Sequence, residues 1–517
     1  MNLTVKKILC GALAGAMMIG TLSGCGKPKE VSDVVTYWAG ISLGDGSSDA
    51  DSIPVVKYLK ENTGIDIDIT IPSNDGGQKQ EQFNILIASN EYPDIMEWNW
   101  AGFKGGAQGA IDQGVIVSLN EYMEAGKMPN FTKYLEEHPE IDRLVKTDDG
   151  DYFTVPFIRE DEKSRVFNGP ILRKDWLDDL ELEVPETVDE WENVLTQFKE
   201  KKGATAPLTL LSNFWNVGAF MGAYGVKDSF IVDDEGKVSY GPIQDGYKEF
   251  LMKMNDWYTK GLLDNGFAQL DSNMLNSQMT SGKSGAAISA AGGGIGKWLG
   301  AMSDDPSYDL VGAKFPVLNK GDKPKFGTKA SAFDGQGASI TTSCPEERLD
   351  DALKLLDYAY SEEGRNLYNF GKEGVDYEMI DGYPTYTDYI VNNPDGKTMS
   401  EMLALETRAT GGPFAQDVRY TEQFLALPQQ SAAVENWKYT DDEKYSLPAV
   451  SYTKEELEEY TKIMSNVDTL KSEKFVKYIQ GTDSFDSWDS YISEIEKMGI
   501  EKATQIVQAA YDRYMNR

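Results

Sequence analysis

The sequence predicts an α/β fold with two interleaved lobes and a helical C-terminal section. Strand and helix patterns alternate over residues 34–96, and the same alternation returns over residues 171–258. Helical patterns then dominate residues 453–514. Such alternation is typical of α/β proteins with parallel sheets. The 517 residues are enough for about two to four domains.

The first alternation begins with the β-rich run Val34–Trp38 and ends with a strand pattern at Tyr92–Met96. Between them, residues 65–71 alternate apolar and polar side chains, which indicates a half-buried strand. A Gly-, Ser- and Asp-rich loop, a helix ending at Asn62-Thr63-Gly64 and a helix over Gln80–Ser89 fill the remaining space. Strands separated by helices in this way predict a parallel sheet.

The middle and end of the chain carry strong helix signals. Thr187 and Glu190 have the spacing of a capping box. Behind them, an apolar face is formed by Trp191, Val194, Leu195 and Phe198. An aromatic-rich helix is predicted over Tyr247–Tyr258, a cap at Thr453–Glu456, and a final apolar stripe from Ala503 to Tyr514.

Charge and composition exclude several classes of function. The chain has 84 acidic and 50 basic residues, a formal net charge of −34 and one histidine, His138. Nucleic-acid binding is carried by clustered Lys and Arg, so we expect no nucleic-acid partner. A single histidine in a polar run also argues against Ser-His catalysis and multi-histidine metal sites.

The N-terminus has the features of a secretion signal. Lys6 and Lys7 precede an apolar stretch from Ile8 to Leu22, which is too short to cross a membrane comfortably. The stretch ends in Leu22-Ser23-Gly24-Cys25, which resembles the lipobox of bacterial lipoproteins. This resemblance implies a signal peptide over residues 1–24, a lipid on Cys25, and a tether over residues 25–33. Removal of Cys10 and acylation of Cys25 leave Cys344 without a disulfide partner.

Six segments together resemble one protein family, the extracellular solute-binding proteins of bacterial carbohydrate ABC importers. More narrowly, they are similar to its long lipoprotein branch of about five hundred residues. The segments are Asn62-Thr63-Gly64-Ile65, Pro93-Asp94-Ile95, Leu172-Arg173-Lys174-Asp175-Trp176-Leu177, residues 258–264, residues 369–377 and residues 509–514.

This resemblance implies a periplasmic-binding-protein-like fold with crossover hinges and a ligand cleft between the lobes. The N-terminal lobe is expected at residues 34–157 plus about 305–345, and the C-terminal lobe at 158–304 plus about 346–517. The implied partners are an oligosaccharide and membrane permease subunits, and contact with the membrane is through the lipid alone. We expect a monomer, without enzymatic activity, on the outer face of the cytoplasmic membrane of a Gram-positive cell.

No metal or cofactor is expected. Some relatives in this branch carry a calcium loop after the capped helix, but residues 199–207 offer one carboxylate among three lysines. The glycine run Gly292–Gly296 before Lys297 lacks the spacing of a phosphate-binding loop. We interpret it as a flexible loop that presents Trp298 at a cleft or hinge.

Candidate ligand-binding residues are the tryptophans and polar side chains that follow predicted strands, because ligands of open α/β sheets bind beyond the carboxyl ends of the strands. They are Trp38, Glu97, Trp98, Trp100, Arg159, Trp215, Asn216, Trp298, Asp334 and Trp437. Trp176, Trp191, Trp257 and Trp488 have apolar neighbours at helical spacing, which favours the core.

The sequence favours a neutral ligand, since no Lys or Arg cluster accompanies the tryptophan-rich loops and an acidic glycan needs compensating cations. Ten tryptophans favour an oligomer over a monosaccharide. Two alternatives stay open. One is a secreted, lipid-anchored glycoside hydrolase, which needs two carboxylates beside the scissile bond. The other is a peptide-binding or sensor lipoprotein with the same fold.

Overall fold

Two separate β-sheets, each covered by helices, form the framework of the protein. The computed structural model describes residues 33–41, 50–73, 75–211, 219–409 and 411–517. Within it, Val34–Arg517 forms one compact unit. Cys25, Trp215 and Asn216 lie outside the described residues.

The strands follow one another along the chain as β1 (Val35–Trp38), β2 (Ile67–Thr70), β3 (Ile95–Asn99), β4 (Val155–Pro156), β5 (Ile158–Arg159), β6 (Asn168–Arg173), β7 (Leu208–Thr209), β8 (Phe230–Val232), β9 (Val238–Tyr240), β10 (Ala286–Ala290), β11 (Leu310–Gly312), β12 (Gln336–Ile340), β13 (Tyr377–Ile380), β14 (Tyr383–Tyr386) and β15 (Ala415–Gln416).

The α-helices are α1 (Pro54–Thr63), α2 (Gly76–Ser89), α3 (Gly106–Asp112), α4 (Asn120–Glu124), α5 (Pro129–Glu137), α6 (Pro139–Leu144), α7 (Lys174–Asp179), α8 (Val188–Lys201), α9 (Asp245–Thr259), α10 (Ser272–Thr280), α11 (Lys297–Ala301), α12 (Glu346–Tyr358), α13 (Glu362–Phe370), α14 (Asp388–Val391), α15 (Met399–Glu406), α16 (Val418–Phe424), α17 (Pro428–Trp437), α18 (Asp442–Tyr445), α19 (Lys454–Gln480), α20 (Trp488–Met498) and α21 (Ile500–Met515).

The first sheet has the strand order β2-β1-β3-β12-β4. β1 pairs in parallel with both β2 and β3, as the alternating N-terminal patterns predict. β12 arrives from far along the chain and pairs antiparallel to β3, with Gln336 opposite Asn99. The N-terminal end of β12 therefore lies beside the carboxyl end of β3, where ligands of such sheets bind.

The second sheet has the order β11-β6-β10-β7. β6 lies between two antiparallel partners, β10 and β11. β10 leads directly into a wide π-helical turn, Ala291–Gly296, and then into α11. The predicted flexible glycine loop is therefore helical. It is packed closely, because a Cβ on Gly294 would lie 2.6 Å from Ser289 Oγ and one on Gly296 would lie 2.5 Å from Gln430 Nε2.

Two hydrophobic cores correspond to the two lobes. The first contains buried residues from 35–158, 332–368 and 414–415. The second contains buried residues from 166–315 and 433–507. In the described residues the chain therefore passes between the cores three times, within 159–165, 316–331 and 416–432.

The cores divide the chain differently from the expected lobe boundaries. We expected residues 305–345 in the first lobe, but β11 pairs with β6 and Leu310 is buried in the second core. We expected residue 346 onward in the second lobe, but α12 buries Leu353 and Leu356 in the first core. The reason is that the crossings fall at residues without a distinctive sequence pattern.

The predicted helix signals are confirmed. Thr187 and Glu190 form the capping box of α8, and Thr453 and Glu456 form that of α19. The apolar stripe of α21 is buried at Ala503, Ile506 and Val507. In the parts of the chain that the structure describes, no helix is long and apolar enough to span a bilayer.

Candidate functional site

A cavity of about 210 Å³ opens at the carboxyl ends of β1 and β3. Glu97, Trp98 and Asn99 of β3 line one side, and Gln336 and Gly337 of β12 line the next. The rest of the lining is contributed by Gly40, Lys79, Phe157, Gly411 and Gly412. Two of the ten candidate residues, Glu97 and Trp98, thus lie on the wall of one cavity.

Trp98 is the half-exposed member of an aromatic cluster formed by Trp38, Phe83, Trp98, Trp100 and Phe103. Its ring stacks on Phe83 with centroids 3.8 Å apart and planes at 4°, and lies 5.7 Å from that of Trp38. Trp38 and Trp100 are 3% and 0% exposed, so they support Trp98 from within the core. Trp98 therefore presents a rigidly supported ring to the cleft.

The Glu97 carboxylate is fully occupied by protein groups. Oε1 accepts from the Tyr37 hydroxyl, Oε2 accepts from the Gly40 N–H at 2.9 Å, and Arg408 Nη2 donates to both oxygens at 2.9 Å. Burial acts to lower the pKa of Arg408, but the charge and hydrogen bond of Glu97, together with Tyr37 and Tyr368, outweigh burial and raise it. Glu97 thus fixes the floor of the cavity, and its charge is balanced by Arg408.

Asn99 and Asp334 shape the rim beside Trp98. The Asn99 amide donates to the Asp334 carbonyl at 3.1 Å, and its oxygen accepts from the Gly102 N–H. Gly335 has a φ of 93°, and a Cβ there would lie 2.6 Å from Asn99 Oδ1. The exposed Asp334 carboxylate accepts from the Gln336 N–H through Oδ1. Asp334, a candidate ligand-binding residue, thus lies next to the end of β3.

Arg159 lies in a second cavity of about 270 Å³, at the first crossing between the lobes. Its guanidinium carbon lies 4.6 Å from the centroid of Phe157 and 5.4 Å from that of Phe167. Burial lowers the pKa of Arg159, and the charge of Asp334 partly offsets this effect. The guanidinium forms no ion pair with any described residue.

A third cavity of about 780 Å³ separates α2 and residues 102–113 of the first lobe from the start of α19 in the second. Trp98 lines this cavity as well as the first one. The remaining contributions include Gln80, Asn84 and Gln113. Trp98 therefore borders two cavities that are rich in amide groups.

Trp298 and Trp437 lie away from the cleft, inside the second core. Trp298 is 0% exposed and its Nε1 donates to Asn276 Oδ1 at 2.8 Å. Trp437 is 1% exposed, its Nε1 donates to the Pro170 carbonyl, and its ring covers Gly169. Neither ring has a free face for a ligand, so neither tryptophan belongs to the candidate site around Trp98.

Two residues of the site carry no signal in the sequence. Lys79 of α2 places its ammonium group 5.7 Å from the centroid of Trp98. Arg408 reaches Glu97 across 311 residues of chain. Neither has a local pattern that could reveal its partner. Among the described residues, no group of three or more His, Cys, Asp or Glu side chains has the geometry to hold a metal ion.

Comparison with known proteins adds a family and a fold. The profile of the family described as bacterial extracellular solute-binding protein matches residues 46–366, which is more than half of the chain. The chain is 25% identical over 497 residues to the fructooligosaccharide ABC transporter substrate-binding protein FusA of Streptococcus pneumoniae serotype 4 (strain ATCC BAA-334 / TIGR4). That match covers 89% of this chain and 87% of FusA.

A second relative and a solved structure are also similar to this chain. Lipoprotein LipO of Bacillus subtilis (strain 168) is 26% identical over 375 residues, covering 67% of this chain and 68% of LipO. The HMO-binding ABC-transporter-associated solute-binding protein of Bifidobacterium longum infantis ATCC 15697 superposes with a TM-score of 0.76 at 19% identity. The superposition covers 93% of this chain and 99% of that one, and it confirms the predicted two-lobed fold.

Proposed function

Because the chain belongs to the bacterial extracellular solute-binding proteins, we propose that it is the substrate-binding component of an ABC importer. It captures an oligosaccharide between its two lobes and delivers it to membrane permease subunits, acting as a monomer. FusA, which is similar over most of this chain, is named for fructooligosaccharide transport. We place the lobe boundaries at the three crossings between the cores.

The observation that carries the proposal is the position of Trp98. Its half-exposed ring stands at the carboxyl end of β3, between two cavities bordered by Asn99, Gln336 and Gln80. A pyranose has an apolar face that stacks on an aromatic ring and a rim of hydroxyl groups that amide side chains can bind. Trp98 and these amides supply both kinds of contact. Trp215 and Asn216, expected at the same cleft, remain predictions.

The proposed location is the outer face of the cytoplasmic membrane, held by a lipid on Cys25. The resemblance of residues 22–25 to a lipobox supports this proposal, and so does the similarity to a relative named as a lipoprotein. Metabolic labelling with a palmitate analogue tests it. The wild-type protein should incorporate the label and Cys25→Ser should not, whereas equal labelling of both would contradict lipidation at Cys25.

FusA is named as a transporter substrate-binding protein, and we propose that this chain likewise leaves its saccharide intact. Glycoside hydrolysis requires two available carboxyl groups beside the bond. At the first cavity, both oxygens of Glu97 are engaged by Tyr37, Gly40 and Arg408. This arrangement suits a structural carboxylate rather than one that is available to a substrate.

Tryptophan fluorescence of the chain from Gly26 onward, which retains the compact unit Val34–Arg517, tests the proposal. The protein is titrated with oligosaccharides and peptides, and each sample is then analysed for products. A saturable change with one saccharide, recovered at its original length, is the expected result. Shortened products would overturn transport in favour of hydrolysis, and a response to peptides alone would overturn saccharide binding.

A further inference from the structure

The charge of the cleft lining is opposite to that of the whole protein. The cavities at Trp98, at Arg159 and beside α19 are lined by six basic side chains and two acidic ones. The chain as a whole has 50 basic and 84 acidic residues. The basic residues are Lys79, Lys104, Arg159, Lys163, Lys454 and Lys462, and the acidic residues are Glu97 and Glu458.

The three cavities adjoin one another. Trp98 lines both the 210 Å³ cavity and the 780 Å³ cavity. Phe157 lines the 210 Å³ cavity, and its ring lies under the guanidinium of Arg159, which lines the 270 Å³ cavity. The basic side chains therefore line three neighbouring cavities, two of which are bordered by the proposed stacking residue Trp98.

Within the described residues, only two of these six basic side chains are paired with an acidic one. Lys163 is paired with Glu422 at 3.3 Å, and Lys104 with Glu458 at 3.6 Å. Lys79, Arg159, Lys454 and Lys462 form no ion pair with any described residue. The acidic Glu97 is already paired with Arg408, so it does not offset the charge of Lys79.

Arg159 is the most informative of these four basic residues. It is half-buried between Phe157 and Phe167 at a crossing between the lobes. The charge of Asp334 offsets the burial of Arg159 only in part. A guanidinium offers a planar fork that matches a carboxylate. A bound carboxylate at this position would compensate for the burial and accept two hydrogen bonds.

We infer that the ligand is a carboxylated saccharide, a uronate-containing oligosaccharide whose acidic groups are bound by Arg159 and Lys79 while a sugar ring stacks on Trp98. This inference rests on the proposed function and replaces the neutral ligand that the sequence favours. No Lys or Arg cluster lies next to the tryptophans along the chain, whereas the fold brings Lys79 to Trp98 from a separate helix.

The test compares acidic and neutral forms of the same sugars by isothermal titration calorimetry. The probes are trigalacturonic and trimannuronic acid, each beside its fully methyl-esterified form, at low and high NaCl. One of the acids should bind at least about tenfold more tightly than its ester at low salt, and its affinity should fall at high salt. The ester should show little dependence on salt.

Charge-removing variants locate the contacts. Arg159→Gln and Lys79→Gln should each weaken binding of the acid by about tenfold and leave binding of the ester within about twofold. Arg159→Lys should fall between the wild type and Arg159→Gln, because it keeps the charge and loses the fork. Lys497→Gln, an exposed change on α20 that lies outside these cavities, should have no effect.

The outcomes separate this inference from the proposed function. Equal or tighter binding of the esters, or unchanged affinity in both Gln variants, would overturn the acidic ligand and leave saccharide transport standing. Binding of neutral kestose or nystose without either acid would do the same. Failure of every saccharide to bind a folded protein would overturn both. Lys79 is on the surface of α2, so its variant remains informative if Arg159→Gln does not fold.

Discussion

Arg408 and Glu97 form a buried ion pair at the floor of the cleft. Both are shielded from solvent, and Arg408 bonds both carboxylate oxygens. Removing one partner leaves the other charge buried and unpaired, which costs about 3–5 kcal/mol in comparable pairs. We predict that Arg408→Met lowers the free energy of unfolding by that amount, measured by urea denaturation.

The matched control is an exposed pair on α5. Lys133 lies 3.8 Å from Glu137, and both side chains are largely exposed. Lys133→Met should change the free energy of unfolding by less than about 1 kcal/mol. Equal effects of the two substitutions would show that the Glu97 pair does not hold the cleft floor together.

Trp98 and Trp437 should respond oppositely to removal of the ring. Trp98→Ala should weaken saccharide binding by about tenfold or more, as loss of a central aromatic contact does. Trp437→Ala should instead lower the free energy of unfolding by about 3–5 kcal/mol, because the ring fills the second core. Titration and urea denaturation of both variants check this. Tight binding by Trp98→Ala would remove Trp98 from the site.

The contact between α17 and the second sheet depends on glycines. A Cβ on Gly169 of β6 would lie 2.4 Å from the Trp437 indole, and one on Gly312 of β11 would lie 2.3 Å from the Ala433 Cβ. We predict that Gly169→Ala lowers the free energy of unfolding by about 1–3 kcal/mol through overpacking. Gly300→Ala, on the exposed side of α11 with open space around it, should raise it by up to about 1 kcal/mol. A stabilising Gly169→Ala would contradict this packing.

The hairpin β13–β14 and helix α15 enclose a pH-sensitive carboxyl group. Burial, with a contribution from Glu406, raises the pKa of Asp376 from 3.8 to about 7. Its Oδ2 accepts from the Lys372 N–H, and its Oδ1 has no hydrogen-bond partner in the described structure. The folded state thus binds this proton more tightly than the unfolded state, and the associated stability is lost as the pH rises towards 7.

We predict that the Asp376→Asn variant becomes more stable relative to the wild type as the pH rises from 5 to 8. The reason is that the variant carries no buried charge at the higher pH. Urea denaturation of both proteins across this range measures the difference in the free energy of unfolding. A difference that is constant with pH would show that Asp376 does not titrate in this range.

At the level of elements, the features that can be predicted from the sequence are those that depend on a local sequence pattern. The parallel arrangement of β1, β2 and β3, the caps of α8 and α19, and the placing of Trp98 at a strand end are all local features. The Arg408–Glu97 pair and the position of Lys79 are not, because each joins segments that are distant in the chain. The glycine run before Trp298 predicts a flexible loop. In the structure this run forms a helical turn that packs against α17.

At the level of the whole molecule, the described part of the chain crosses between the lobes three times, and Arg159 lies at the first crossing. The lobes also meet through ion pairs, since Arg513 and Arg517 of the C-terminal segment both contact Asp148 of the first lobe. A ligand bound between the lobes contacts both, so binding favours whichever arrangement brings its two sets of contacts together. The ligand contacts, the crossings and these ion pairs therefore all join the same two lobes.

Hydrogen–deuterium exchange can show whether a saccharide binds at the Trp98 cleft. It is measured with the saccharide that gives the strongest fluorescence change. We predict that the saccharide slows exchange in the segments around Gly40, residues 98–103 and Gly411-Gly412, and that Trp98→Ala abolishes this protection. Protection confined to another surface, such as the 450 Å³ cavity between Tyr58 and Tyr377, would show that the saccharide does not bind at the Trp98 cleft.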